Sequence, residues 1–145
     1  MRGLNISSAK LEDFPAVFLL LKQLWPKRRL FKKRIQDLYI RRMKDNWDFL
    51  LVAKLGKKLL GFSAFTVDRN FAYAGRIAYI IELVVDEEWR GRGIGKALMK
   101  AVEKMARKLK CRAVELDSGF TRLRAHALYE SMGYEKKCYF FVKKI

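Results

Sequence analysis

The segment Val84-Val85-Asp86-Glu87-Glu88-Trp89-Arg90-Gly91-Arg92-Gly93-Ile94-Gly95-Lys96 has the residue types and order to hold a phosphate. An apolar run ends in acidic turn residues, passes through Arg-Gly-Arg-Gly-Ile-Gly and opens an amphipathic stretch. The first backbone N–H groups of a helix have no partner within it, so several would converge there on an anion, most naturally a pyrophosphate. A side chain in place of the glycines would hold a phosphate away from the backbone, and Arg90 and Arg92 add charge that pairs with phosphate oxygens. No Gly-x-x-x-x-Gly-Lys-Ser/Thr is present, and Gly91-x-Gly93-x-Gly95 lacks the spacing of the dinucleotide fingerprint, which argues against an NTPase or a nicotinamide enzyme.

Carboxylates close to this segment suit proton transfer. Glu82 lies inside Tyr79-Ile80-Ile81-Glu82-Leu83-Val84-Val85, where an ionised side chain must be solvated or paired. Strand alternation sends it to the face opposite Ile81, Leu83 and Val85. Glu115 and Asp117 alternate with Val114 and Leu116 and so share one face of the next strand; if that strand neighbours the one carrying Glu82, the acidic side chains line a common cleft. A carboxylate at Glu82 or Glu115 could take a proton from a bound substrate, directly or through water. Pairing with a nearby lysine or arginine is the competing reading for each.

With Arg90-x-x-Gly93-x-Gly95 in this position, the chain resembles the GNAT superfamily of acetyl-CoA-dependent N-acetyltransferases, whose pyrophosphate loop reads Gln/Arg-x-x-Gly-x-Gly/Ala. A second match is Ala125-His126-Ala127-Leu128-Tyr129-Glu130-Ser131-Met132-Gly133-Tyr134, similar to the family's Ala-x-x-x-Tyr-Glu-x-x-Gly-Phe/Tyr segment. The resemblance is specific over residues 79 to 145 and loose before them. It implies a GNAT-like acyl-CoA N-acyltransferase fold of the α/β (α+β mixed sheet) class, with a central mixed sheet of six or seven strands and helices on both faces. It also implies acetyl-CoA as co-substrate, held by Leu83, Val84, Val85, Arg90, Gly91, Arg92, Gly93, Ile94, Gly95 and Lys96, and no metal. Backbone N–H groups near Val84 and Val85 would then stabilise an oxyanion. Glu82 or Glu115 would manage the amine proton, and Tyr129 would assist departure of the coenzyme thiolate. For Tyr129 the competing reading is a core tyrosine beside Ala125, Leu128 and Met132. Many members have asparagine where this chain has Arg122, so that family contact is in question here. His126, the single histidine, shares a helix side with Tyr129 but has no second residue to fix a catalytic role.

These residues need elements to position them. Leu4-Asn5-Ile6 reads as a short edge strand, and residues 12 to 24 carry Phe14, Val17, Phe18, Leu21 and Leu24 at helical spacing, with Pro15 in the first turn and Pro26 beyond the end. A second helix from about Leu30 to Met43 turns Ile35, Leu38 and Tyr39 to one side and lysines and arginines to the other. Phe49 to Ala53 and Leu59 to Phe65 flank Gly56-Lys57-Lys58 as a hairpin, Ala78 to Val85 forms a third long strand, and residues 93 to 109 a helix. A strand over Ala113 to Asp117, a helix over 122 to 132 closed by Gly133, and a final strand over Tyr139-Phe140-Phe141-Val142 complete the reading. The unit from Ala78 to Asp117 is a right-handed parallel crossover.

The 145 residues suit a single N-acetyltransferase domain over 1–145. No apolar stretch reaches the ~20 residues of a membrane span and the N-terminal residues lack a leader's apolar segment, so the expected location is cytoplasmic. Cys111 and Cys138 form no CxxC pair and read as packing thiols. A formal charge of +17, from 32 basic against 15 acidic residues, asks for a polyanionic partner that one coenzyme cannot satisfy. Lys27, Arg28, Arg29, Lys32, Lys33 and Arg34 crowd one segment, and in the resembled fold the first two helices overhang the acceptor groove. The resemblance implies a primary amine on a protein or small molecule as acceptor, and positive charge there would favour one with acidic groups near its amine, or a ribosome or nucleic-acid neighbour. The family reading also admits a homodimer. The rival from another class is a basic nucleic-acid- or ribosome-binding module that keeps the fold without turnover.

Overall fold

Strand alternation from residue 48 onward produces a hairpin, with β2 (Asp48–Leu55) and β3 (Lys58–Asn70) joined through Gly56, which takes φ +58. Upstream, β1 (Leu4–Ser8) pairs antiparallel with β2, and downstream β4 (Gly75–Val85) pairs antiparallel with β3. Beyond β4, α3 (Ile94–Lys108) carries the chain back to β5 (Cys111–Leu116), the fifth strand of a sheet ordered β1-β2-β3-β4-β5. Arg76 near the start of β4 donates to the carbonyl of Leu109 just before β5 (3.2 Å), and Arg112 lies against Gly75. The two strands therefore start side by side and run the same way, which makes the sheet mixed. This computed structural model describes all residues from Met1 to Ile145.

Helices cover both faces of this sheet. A single 3₁₀ turn (Leu11–Asp13) leads into α1 (Phe14–Leu24), where Pro15 sits in the first turn and forfeits no helical hydrogen bond. Phe14, Val17, Leu20 and Leu21 of α1 and Tyr39 of α2 (Lys32–Lys44) pack on Leu50, Val52, Phe62, Ala64 and Val84. The Tyr39 hydroxyl donates to the carbonyl of Lys10 (2.7 Å), a partner a buried phenol needs. On the other face Ile94 and Leu98 of α3 press on Gly61, where a Cβ would stand 3.2 and 3.0 Å from them. Glycine is thus what lets α3 approach the sheet.

Two compact units divide the chain, Met1–Glu115 and Leu116–Ile145. The second contains α4 (Leu123–Ser131), closed by Gly133 at φ +88 as expected of a helix-ending glycine.

Three expectations need correction. The sheet has five strands, not six or seven, because residues 134 to 145 adopt no regular secondary structure. Tyr139, Phe140, Phe141 and Val142 are exposed, and their β propensity produces no strand without a ladder partner. Leu38 is exposed, and the inner side of α2 continues from Tyr39 to Arg42 instead. Cys138 is exposed and unpaired, so only the half-buried Cys111 fits the reading of a packing thiol. No helix is long and apolar enough to cross a membrane.

Candidate functional site

The turn after β4 is built by short polar contacts. Asp86 accepts at Oδ1 from the N–H of Glu88 (3.0 Å), its own N–H donates to the carbonyl of Leu60 (2.8 Å), and Gln23 of α1 accepts from the N–H of Glu87 (2.9 Å). Gly91 and Gly93 follow with φ +77 and +83, conformations that cost an L residue about 1–2 kcal/mol. No atom lies within 4 Å of where a Cβ on Gly93 would stand, so the backbone there is open to an approaching ligand. The first helical bond of α3 in this turn runs from the N–H of Ala97 to the carbonyl of Gly93 (3.0 Å). The N–H groups of Ile94, Gly95 and Lys96 precede it without a helical partner or a side-chain cap.

The charged side chains of this turn are less free than their sequence suggests. Arg90 Nε donates to the carbonyl of Val85 (3.1 Å), folding the guanidinium back over the end of β4. Arg92 and Lys58 both lie over the ring of Trp89, at 4.6 and 5.1 Å. Leu83 and Val85 are half-buried opposite Ser63 and Gly61, while Val84 is buried opposite Phe62.

Glu82 occupies the same strand under a different constraint. Ala64 pairs with Glu82 but Phe65 pairs with Ile80, so Ile81 is an extra residue, a β-bulge. The bulge corrects simple alternation: Ile80 and Glu82 point to opposite faces, and Glu82 joins Val84 on the side covered by α1 and α2. There Arg42 Nη1 donates to Glu82 Oε2 (3.0 Å) while Arg42 Nε lies 3.4 Å from Asp48 Oδ2. Glu82 and Arg42 side chains are only 15% and 14% exposed, which is why the pair is more than a surface contact. Burial raises the Glu82 pKa above the ordinary carboxylate value; Arg42 pulls it back, and Asp48 pushes it up again. Neither Arg42 nor Asp48 was singled out in the sequence, although Arg42 lies three residues beyond the buried Tyr39 on the same helical stripe.

Glu115 lies half-buried on β5, which neighbours β4 as the common-cleft reading required. In the unit Leu116–Ile145, Asp117 is exposed and Tyr129 half-buried. Burial raises the Tyr129 phenol above its ordinary pKa; the positive charge of Arg122 lowers it in part and Asp117 raises it. Tyr129 also packs at 6.3 Å against the ring of Tyr134, whose N–H donates to the Tyr129 carbonyl (3.0 Å). All six basic residues of the 27–34 segment are exposed, with Arg29 and Arg34 over the ring of Phe31 at 5.1 and 5.2 Å.

The model of the acetyltransferase (GNAT) family matches residues 14–134. N-acetyltransferase 8 of Homo sapiens is 32% identical over 126 residues, 85% of this chain and 55% of that protein. An uncharacterized N-acetyltransferase of Methanocaldococcus jannaschii is 31% identical over 137 residues, 92% of this chain and 60% of that protein. The chain therefore spans somewhat over half the length of these relatives. An aminoglycoside N-acetyltransferase solved in complex with CoA superposes with a TM-score of 0.86 over 97% of this chain and 94% of that one, at 17% identity, a likeness of fold. With a strand, glycine turn and helix arranged as the motif requires and the family model covering most of its length, the chain belongs to the acetyltransferase (GNAT) family.

Proposed function

We propose that this protein transfers the acetyl group of acetyl-CoA to a primary amine by direct attack in a ternary complex. The observation that carries the proposal is the turn from Val85 to Lys96. Two left-handed glycines and three helix-start N–H groups without helical partners leave a backbone surface that a side chain at Gly93 would obstruct. Such a surface fits a pyrophosphate, and the CoA complex of a protein of the same fold supports that fit.

Bound acetyl-CoA supplies an acetyl thioester. The chain's own residues do the rest. Gly91, Gly93, Ile94, Gly95 and Lys96 hold the pyrophosphate, Arg90 and Arg92 contribute charge from the rim, and Leu83, Val84 and Val85 grip the pantetheine arm at the end of β4. Glu82, its pKa raised by burial above the ordinary carboxylate value, is the group proposed to accept a proton from the acceptor's ammonium, with Arg42 fixing its orientation. Glu115 is the second candidate acceptor, through water. Tyr129, kept protonated by burial, donates to the sulfur of the departing thiolate. The exposed basic segment 27–34 selects an acceptor with acidic groups near its amine.

The test is thiol release from acetyl-CoA over a panel of amino sugars, amino acids and peptide amines, with acetyl-CoA binding measured in parallel. Release stimulated by at least one amine, and lost in Glu82→Gln or Tyr129→Phe, is the expected result. Tight coenzyme binding without release by any amine would turn the reading to a coenzyme-binding fold without turnover.

A further inference from the structure

At the end of the sheet remote from the glycine turn, a concavity of about 460 Å³ is lined by Ala74, Gly75, Arg76, Lys108, Leu109, Lys110 and Arg112. Gly75 and Val85 are the two ends of β4, about 33 Å apart at the rise of a strand. No carboxylate lies within salt-bridge distance of Arg76, Lys108, Lys110 or Arg112. Basic residues at the end of α3 complement the helix dipole, which accounts for Arg107 and Lys108. It does not account for Arg69 and Arg76, which stand directly opposite each other on β3 and β4. Like charges so placed are destabilising unless an anion lies between or beside them.

The rim of this concavity is aromatic. Phe71 and Tyr73 lie in the β3–β4 turn immediately before Ala74, Phe71 at 105% exposure. The turn is fixed rather than loose, since Asn70 Oδ1 accepts from the N–H groups of Ala72 (2.9 Å) and Tyr73 (3.3 Å), and Ala74 donates to the carbonyl of Phe71 (3.0 Å). Trp47, itself exposed, lies under the Arg76 guanidinium at 4.9 Å. Holding a bare phenylalanine in water beside uncompensated cations makes little sense for folding. It makes sense for a ligand with both a phosphate chain and flat apolar rings.

We propose that this end of the sheet binds single-stranded RNA, its phosphates in the basic concavity and its bases stacked on Phe71 and Tyr73. A positive groove with aromatic platforms is how proteins hold single strands without reading sequence, and a duplex would keep its bases out of reach. The net charge of +17 draws any polyanion to the molecule; the aromatic rim selects this one. Because it is far from the glycine turn, this surface operates whether or not the coenzyme site is filled.

The experiment is fluorescence anisotropy of the full chain with a labelled short oligouridylate, across a salt series. Binding should weaken with a log–log salt slope of about −3 if four phosphates are neutralised. The combined variant Lys108→Gln, Lys110→Asn, Arg112→Gln should weaken binding tenfold or more and flatten the slope; asparagine is chosen because Lys110 has φ +57. Phe71→Ala, which removes no folded-state contact of consequence, should weaken it by about five- to hundredfold. All variants should bind acetyl-CoA as the parent does. The proposal is overturned if the oligouridylate does not bind, or if the duplex of the same length binds equally well. Equal binding of a polyglutamate peptide with no effect of Phe71→Ala would identify an acidic protein segment as the ligand. Competition by CoA, with no effect of the patch variants, would place the RNA on the glycine turn.

Discussion

Arg42 Nη1 lies 3.0 Å from Glu82 Oε2, joining the last turns of α2 to the middle of β4 across 40 residues of sequence. The contact ties the helix expected to roof the acceptor to the carboxylate proposed to take the acceptor's proton. Its energetics are those of a buried pair: removing one partner leaves an uncompensated charge, at a cost of about 3–5 kcal/mol, which the carboxylate can partly relieve by taking up a proton.

That relief gives a signed prediction. Glu82 has a folded-state pKa above its ordinary value, so the native state holds a proton that the unfolded state releases, and stability falls as pH rises through that window. Arg42→Leu removes the group that lowers the Glu82 pKa, so the window widens upward. Urea midpoints should show a deficit for Arg42→Leu that is larger near pH 8 than near pH 5, and the deficit should shrink in Arg42→Leu combined with Glu82→Gln. A deficit independent of pH would mean that Arg42 matters for packing alone.

Catalysis should report the same carboxylate from the other side. A base works only when deprotonated, so the acidic limb of the kcat/KM profile should lie above the ordinary carboxylate range, vanish in Glu82→Gln, and move up in Arg42→Leu. An unmoved limb in both variants would transfer the role to Glu115.

Periodicity and turn chemistry made much of this legible. The hairpin, the crossover from β4 through α3 to β5 and the glycine turn all followed from local signals that tertiary packing did not override. Three features were hidden for definite reasons. The bulge at Ile81 leaves no trace when Ile80 and Ile81 are both apolar, because alternation cannot register an inserted residue of the same kind. Arg42 looked like one more cation on a basic helix, and only its phase relative to Tyr39 marks it as inward. The tail at 139–142 has the composition of a strand but forms no ladder, and composition alone does not make one.

Gly93 should separate the loop's two requirements. Its φ of +83 makes any L residue strained, yet nothing crowds the position, so Gly93→Ala should cost only about 1–2 kcal/mol of stability and leave the fold intact. Calorimetric titration should nevertheless show a clear loss of acetyl-CoA affinity, and Gly93→Val a larger one. Arg90→Ala should lose less, at most about 1.5–3 kcal/mol, since Arg90 Nε is already engaged by the Val85 carbonyl. Unchanged affinity in a folded Gly93→Val would remove the pyrophosphate assignment.

Tyr129→Phe keeps the ring that packs on Tyr134 and removes only the hydroxyl. If the hydroxyl has the proposed role of assisting the departing thiolate, turnover should fall with little change in the KM for acetyl-CoA. Since burial raises its pKa, any basic limb that the phenol contributes should lie above the ordinary tyrosine value of about 10. Arg122→Ala, which removes the positive charge acting on that phenol, should push the limb higher still. Full activity in Tyr129→Phe would leave the residue as packing.

The exposed segment 27–34 offers the last prediction, about which substrate feels its charge. Arg28, Arg29, Lys32 and Lys33 lie between α1 and the first turn of α2, and among them only Lys33 has a carboxylate partner, Asp37 at 2.8 Å on the exposed helix surface. Such a pair contributes little to stability, so reversing all four residues to glutamate should leave the fold unharmed. If these cations meet the acceptor, the reversal raises the KM for an amine bearing acidic groups and inverts its salt dependence, with acetyl-CoA affinity nearly unchanged. Rejecting a polyamine is the other half of the same field, and the reversed variant should accept one better than the parent does. Collapse of coenzyme affinity with an unaltered acceptor preference would show that the segment faces the wrong substrate, and the acidic-acceptor reading would fall with it.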